Sequence, residues 1–79
     1  MHVEYDAETD AAFIFVVDDS ALTSGAIANE VWPSEFGDRI GLLFDGEQKL
    51  IGLELLSASS LLSASVLASA RKTGDSTGT

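Results

Sequence analysis

Short runs in which apolar and polar residues alternate fill most of the chain, a pattern typical of β-strands. The pattern predicts strands at residues 2–5, 39–44 and 50–56. Residues 45–49, between the last two, are polar and contain Gly46 directly after an aspartate. Because a glycine there allows positive φ, the segment predicts the turn of a β-hairpin.

The strand predicted at residues 11–17 is apolar on both faces. Phe13 and Phe15 share one face and Ile14 lies on the other, since successive side chains of a strand point to opposite sides. A strand of an open, one-layer sheet should carry polar residues on its solvent side. Both faces are therefore expected to be covered, by a helix, by curling of the sheet or by a second subunit.

The rest of the β pattern is weaker. Residues 22–31 contain a glycine and an asparagine and predict only an irregular or edge strand. Residues 32–38, with Pro33 after a tryptophan, predict a loop. Gly52, inside a predicted strand, indicates a bulge or a close approach of two backbones.

A helical pattern appears near the C-terminus. Ser57 can cap the N-terminus of a helix, and the pattern predicts that helix over about residues 58–71. Leu67 would point away from the apolar stripe, and Arg71 and Lys72 would complement the helix dipole in the last turn. The stripe would consist of Ala58, Leu61, Leu62, Ser65, Val66 and Ala68.

These elements predict a single small α+β domain over residues 1–72. It would be a mostly antiparallel β-sheet of four to five strands with one C-terminal helix packed on it. Residues 73–79 contain no apolar side chain and predict a flexible tail.

Charge and composition narrow the function classes. The 79 residues include 13 acids and 4 bases, for a net charge of −9, and no cysteine. A nucleic-acid backbone would be repelled, so we expect no nucleic-acid partner. The start lacks the features of a signal peptide, and the longest apolar run is far short of the roughly 20 residues that span a bilayer. We therefore expect a cytoplasmic protein with no membrane partner.

Two motifs resemble those of a known family. Residues 5–11 read Tyr-Asp-Ala-Glu-Thr-Asp-Ala and directly precede the apolar strand, and residues 42–45 with 49–59 form the second motif. In this order they resemble the opening and closing signatures of the bacterial domain-of-unknown-function 2283 family. The resemblance implies a small β-rich fold with a C-terminal helix. It implies no activity, cofactor or catalytic residue.

The chain departs from that family pattern at several positions. The family usually has proline where Ala7 stands, aspartate where Leu43 stands and glycine where Gln48 stands, and it is often polar where Phe15 stands. Leu43 and Phe15 make one sheet face more apolar than the resemblance implies. This difference favours self-association over a polar site on that face.

Asp6, Glu8 and Asp10 have the spacing that begins a calcium-binding loop. An EF-hand also needs glycine at the sixth position and glutamate at the twelfth, where this chain has Ala11 and Val17. A solvated turn is therefore favoured over a weak Ca²⁺ or Mg²⁺ site. No metal and no cofactor are predicted.

No catalytic residue is predicted either, and we expect a protein that is not an enzyme. His2 is the only histidine and falls on the polar side of its strand, where it is interpreted as a surface residue. Glu54 is expected to face solvent or to pair with Arg39 or Lys49. No nucleophile has a credible base, and the glycines do not form a phosphate-binding loop.

The leading hypothesis is a non-enzymatic structural or protein-interaction module that forms a homodimer through a sheet face or edge. The alternative is a small-ligand or divalent-metal module that uses the Asp6–Asp10 turn or the Trp32–Phe36 loop. The candidate interface residues are Phe13, Phe15, Leu43 and Leu67, with the loop aromatics Trp32 and Phe36.

Overall fold

A computed structural model describes residues 1–72, which form a six-stranded sheet, three short 3-10 turns and one short helix. The strands are β1 (His2–Asp6), β2 (Ala11–Phe15), β3 (Asn29–Val31), β4 (Ile40–Phe44), β5 (Leu50–Leu56) and β6 (Arg71–Lys72). The 3-10 turns are Asp19–Ala21, Ser34–Phe36 and Ala58–Ser60, and the helix α1 is Ala64–Ser69. The tail predicted at residues 73–79 lies outside the described residues.

The strand order across the sheet is β3-β4-β5-β2-β1-β6. All neighbours pair antiparallel except β1 and β6, which are parallel. The mostly β, α+β character is as predicted. The sheet has six strands rather than four to five, because β6 adds an edge beside β1 that no local pattern indicates.

The hairpin predicted around residues 45–49 is present, and β1 and β2 form a second one. β2 ends at Phe15 instead of Val17. In the β4–β5 turn the residue with positive φ is Gln48 (φ 65°), not Gly46. The Asp45 side chain accepts hydrogen bonds from the N–H groups of Glu47 (2.8 Å) and Lys49 (2.9 Å) and so holds the turn closed. The left-handed residue is thus the position at which the family resemblance expects glycine.

Gly52 confirms both features predicted for it. Leu43 pairs with Gly52 and Phe44 with Leu50, so Ile51 is an extra residue that forms a bulge. A Cβ at Gly52 would lie 2.7 Å from the carbonyl oxygen of Ile14, which no side chain tolerates. The absence of a side chain therefore lets β5 and β2 pair at this point.

Each face of the sheet carries its own apolar cluster, as the doubly apolar β2 indicates. On one face, here called the helix face, Ala12 and Leu55 are buried with Ala58 under the segment that contains α1. On the other, the loop face, Phe15, Leu43 and Ile51 form the buried cluster. Residues 16–28 cover the loop face through Val17, Leu22 and Ala26. The cover on that side is therefore a loop of the same chain, which the sequence did not indicate.

The predicted helix over residues 58–71 is wrong in its start, length and end. Ser57 adopts the left-handed conformation (φ 57°, ψ 47°) and caps nothing; Ser63 caps α1 by accepting a hydrogen bond from the N–H of Val66. The chain reverses at Ser57 because the N–H of Ala58 donates to the carbonyl of Asp10 at 2.8 Å. Tertiary bonds thus override the local helical pattern.

The end of the segment also differs from the prediction. Leu67 packs into the helix-face cluster and does not point away from it. Arg71 and Lys72 form β6 rather than a last helical turn. The Lys72 ammonium still donates to the carbonyl of Leu67 at 2.5 Å, so one cation does lie at the helix C-terminus.

The segment predicted as an irregular strand at residues 22–31 forms a regular strand only at Asn29–Val31. Its earlier part crosses the loop face as the cover described above. Within residues 1–72 no helix is long and apolar enough to cross a membrane.

Candidate functional site

The densest group of polar contacts fastens the β1–β2 turn to the end of β5. Asp10 Oδ1 accepts hydrogen bonds from the Tyr5 hydroxyl (2.7 Å) and the N–H of Ser59 (3.0 Å), and Asp10 Oδ2 accepts one from the Ser59 hydroxyl (2.7 Å). Asp10 has positive φ (56°), a conformation that aspartate adopts more readily than most residues do. We call Tyr5, Asp10 and Ser59 the Asp10 clip.

The clip stabilises the ionised form of its carboxylate. The hydrogen bond from Tyr5, and then the one from the Ser59 hydroxyl, hold the pKa of Asp10 below its usual range. The same bond raises the pKa of the Tyr5 hydroxyl. A general base or acid works best when its pKa lies near the operating pH. Here both pKa values move away from neutral pH, that of Asp10 downward and that of Tyr5 upward. The arrangement therefore suits a structural role.

The three metal candidates do not converge. Asp6 Oδ1 accepts the N–H of Glu8 (3.0 Å) in a local turn, while the carboxylate of Asp10 faces Ser59. Across residues 1–72 no three acidic or histidine side chains are placed to hold a metal ion. Nothing in the geometry of the turn supports the metal-binding alternative.

His2 is not the surface residue that the strand pattern indicated. Its side chain is only 12% exposed, its ring lies 5.4 Å from that of Phe15, and its Nε2 is 2.8 Å from Glu4 Oε2. Its Nδ1 is 3.2 Å from Asp19 Oδ1, and Arg71 binds the other oxygen of Asp19 at 2.9 Å. The Arg71 bond lowers the pKa of Asp19. These polar contacts connect the covering loop to β1 and β6.

Of the two alternatives expected for Glu54, the pairing with Arg39 or Lys49 is absent, and the side chain is partly buried instead of fully facing solvent. It lies on the loop face, where its cross-strand partners are Phe13 and Gly41. Partial burial raises the pKa of Glu54, and the charge of Glu30 adds to the shift. The carboxylates of Glu54 and Glu30 therefore repel each other, and neither has a basic partner among residues 1–72.

The structure places the predicted interface residues mostly inside the chain. Leu43 is 0% exposed and Phe15 is 7% exposed, so neither offers a surface to a second protein chain in this conformation. Phe13 stacks on Phe15 with ring centroids 5.7 Å apart, and Leu67 packs against the helix-face cluster. The apolar loop face that motivated the dimer hypothesis is therefore covered by the chain itself.

The two loop aromatics, Trp32 and Phe36, differ in their surroundings. Trp32 lies flat against β4, since a Cβ at Gly41 would be 2.6 Å from its ring, and its indole N–H donates to Glu30 at 3.2 Å. Phe36 is exposed at the C-terminal end of a 3-10 turn. Trp32 covers the sheet, and only Phe36 presents a free ring.

The open apolar surface is on the helix face, at the end that α1 does not reach. The β-pairing aligns five apolar residues in one row across the sheet. Three more lie beside them, where Phe44 pairs with Leu50 and the N–H of Val16, just after β2, donates to the carbonyl of Ile51. We call these eight residues the open strip: Val31, Leu42, Leu53, Ile14 and Val3 in the first row, and Phe44, Leu50 and Val16 in the second. Val16 is 47% exposed, and Val31 and Leu50 are each 43% exposed.

The sequence contained a signal for the open strip that the analysis of β2 alone missed. Leu42 and Leu53 alternate with Leu43 and Gly52, so they must lie on the face opposite Leu43. A six-residue α1 is too short to cover that whole face. The helix predicted over about residues 58–71 would have covered more of the sheet, so the prediction gave no reason to expect an open surface on that face.

Comparison with known proteins agrees with the motifs. A family model described as a protein of unknown function, DUF2283, matches residues 2–59, which include β1 to β5 and the whole Asp10 clip. No curated protein and no solved structure matches the chain. Since the family model spans well over half of the 79 residues, the chain belongs to the DUF2283 family of proteins of unknown function.

Proposed function

We propose that the protein is a non-enzymatic interaction module that pairs with a second copy of itself through the open strip. The observation that carries this proposal is the exposure of Val16, Val31 and Leu50 on a surface where all eight side chains are apolar. Contiguous apolar surface of this kind is the usual mark of an interaction site. The proposal keeps the sheet-face homodimer and moves it to the face opposite Phe15.

Charge favours a second copy as the occupant. The chain has 13 acids and a net charge of −9, yet none of the acids belongs to the open strip. A second copy brings the same uncharged surface, so pairing buries no unmatched carboxylate. A basic partner would gain nothing here, because its cations would meet only apolar side chains.

The size of the strip sets the strength of the pairing. Five strands about 4.8 Å apart and two rows of side chains about 7 Å apart give roughly 300 Å² on each subunit. A stable interface buries about 800 Å² on each partner. We therefore expect a weak dimer that forms at tens of micromolar or above, in fast exchange with monomer.

Sedimentation equilibrium on the full chain, from about 10 µM to about 1 mM, tests the proposal. Val31→Lys places a charge on the strip and should abolish the dimer. The matched control is Val66→Lys on α1, also an exposed valine, which should leave the dimer intact. A monomer at every concentration, or equal loss of the dimer in both variants, contradicts the proposal.

Salt provides a second, independent test. Two chains of charge −9 repel each other, and salt screens that repulsion. Raising the ionic strength from about 0.05 M to about 0.5 M should therefore strengthen the dimer. Weaker association at high salt would indicate attraction between opposite charges and not the apolar contact proposed.

A further inference from the structure

A cleft of about 380 Å³ opens on the loop face between the sheet and the covering loop. Phe15, Leu22, Ala26 and Ile27 give it apolar walls. Glu4 is the one charged side chain among the described residues that line it. An apolar cleft with a single convergent charge, at the small end of the size range of ligand pockets, has the general form of a small-molecule site.

The carboxylate of Glu4 has unused capacity to accept hydrogen bonds. Its Oε2 is hydrogen-bonded to Nε2 of His2 at 2.8 Å, while its Oε1 has no hydrogen-bond partner within residues 1–72. His2 is also shared, because its other nitrogen faces Asp19 at 3.2 Å. A carboxylate accepts most strongly from a charged donor, so the free oxygen favours a cation.

We propose that this cleft binds a small organic cation: a primary ammonium or an amidinium on an aromatic or branched aliphatic body. The body packs on Phe15, Leu22 and Ile27, and the charged nitrogen donates to Glu4. The net charge of −9 adds to the selection, since the field of the whole protein attracts cations and repels anions. The site lies on the face opposite the open strip and does not depend on self-association.

An NMR titration of the full chain with three matched probes tests this site. Benzylammonium should produce saturable backbone shifts at residues 22–27 and in β1. Benzyl alcohol, of the same size but neutral, should bind about tenfold more weakly, because a hydrogen bond to a charged donor is the stronger kind. Benzoate should produce no shifts there. Equal affinities for the three probes would overturn the proposal.

Two variants separate the site from general attraction of cations to an acidic chain. Glu4→Gln keeps the shape of the side chain and should weaken benzylammonium binding about tenfold. Glu47→Gln removes the same charge from the exposed β4–β5 turn and should change nothing. Equal weakening by both would show unspecific attraction and refute the site. Ala26→Leu fills the cleft and should abolish binding; binding that survives it also refutes the site.

Discussion

Asp10 and Asp38 form a natural pair for comparison at the scale of single residues. Both have positive φ, 56° and 58°, so asparagine suits either position. Only Asp10 accepts hydrogen bonds from Tyr5 and Ser59, and those bonds lower its pKa. A carboxylate with a lowered pKa stabilises the fold above its ordinary pKa, and that contribution is lost as the pH falls through the native value.

Asp10→Asn should therefore lower the free energy of unfolding near neutral pH, and Asp38→Asn should leave it almost unchanged. The difference between the wild type and Asp10→Asn should be constant above about pH 5 and should shrink below about pH 4, where the unfolded chain takes up a proton at Asp10 before the native carboxylate does. Urea unfolding at a series of pH values measures this. If the two proteins differ in free energy of unfolding by the same amount at about pH 3 and about pH 7, the charge of Asp10 has no role in the clip.

Glu54 is expected to behave in the opposite way. Its pKa is raised, so the native state holds the proton more tightly than the unfolded chain does. Its effect on stability becomes unfavourable as the pH rises from the ordinary glutamate value of about 4.3 toward the raised native value. Glu54→Gln should stabilise the protein at neutral pH and have little effect near pH 4. The control is Glu47→Gln in the exposed turn, which should have no effect at either pH.

At the scale of secondary structure, the hairpin strands could be predicted and the connections could not. β1, β4 and β5 follow from alternation and β2 from a short, fully apolar run, and both patterns report local geometry. The helix was overestimated because Ser57 was interpreted as its N-cap, whereas Ser57 has positive φ in the structure and Ser59 binds Asp10 in the clip. β6 escaped prediction because two residues paired parallel to a distant strand leave no local pattern.

The pairing of β5 with β2 depends on Gly52. A Cβ there would lie 2.7 Å from the Ile14 carbonyl oxygen and 2.9 Å from the ring of Phe15. Gly52→Ala should cost about 1–3 kcal/mol of stability by overpacking. Gly46→Ala is the matched control, because nothing lies within 4 Å of a Cβ at that position. Thermal unfolding of the two variants measures the difference; equal melting temperatures would mean that β5 does not approach β2 this closely.

At the scale of the whole molecule, the requirement to cover both faces of β2 was foreseen from composition, but the cover was not. The loop at residues 16–28 has no periodicity that would place it over Leu43, and only the folded chain brings them together. The same gap affected the choice of candidate interface residues. Phe15 and Leu43 read as surplus apolar residues in the sequence and are core residues in the structure.

The position of Leu43 in the core has a measurable consequence for stability. Leu43 is 0% exposed, so Leu43→Ala should cost about 2–5 kcal/mol through lost contacts and an unfilled cavity. Leu50→Ala, on the exposed strip, should cost much less. Urea unfolding of both variants at low protein concentration, where association is absent, provides the comparison. Equal costs would place Leu43 at the surface.

Methyl NMR spectra of the full chain over a range of protein concentrations test the central claim most directly. Since the open strip is the proposed contact between copies, and Leu43 and Ile51 are already buried on the loop face, the methyl signals of Val16, Val31 and Leu50 should shift progressively as concentration rises. Those of Leu43 and Ile51 should stay fixed. Shifts confined to Leu43, Ile51 and their neighbours, or no change at any concentration, would contradict the proposed pairing.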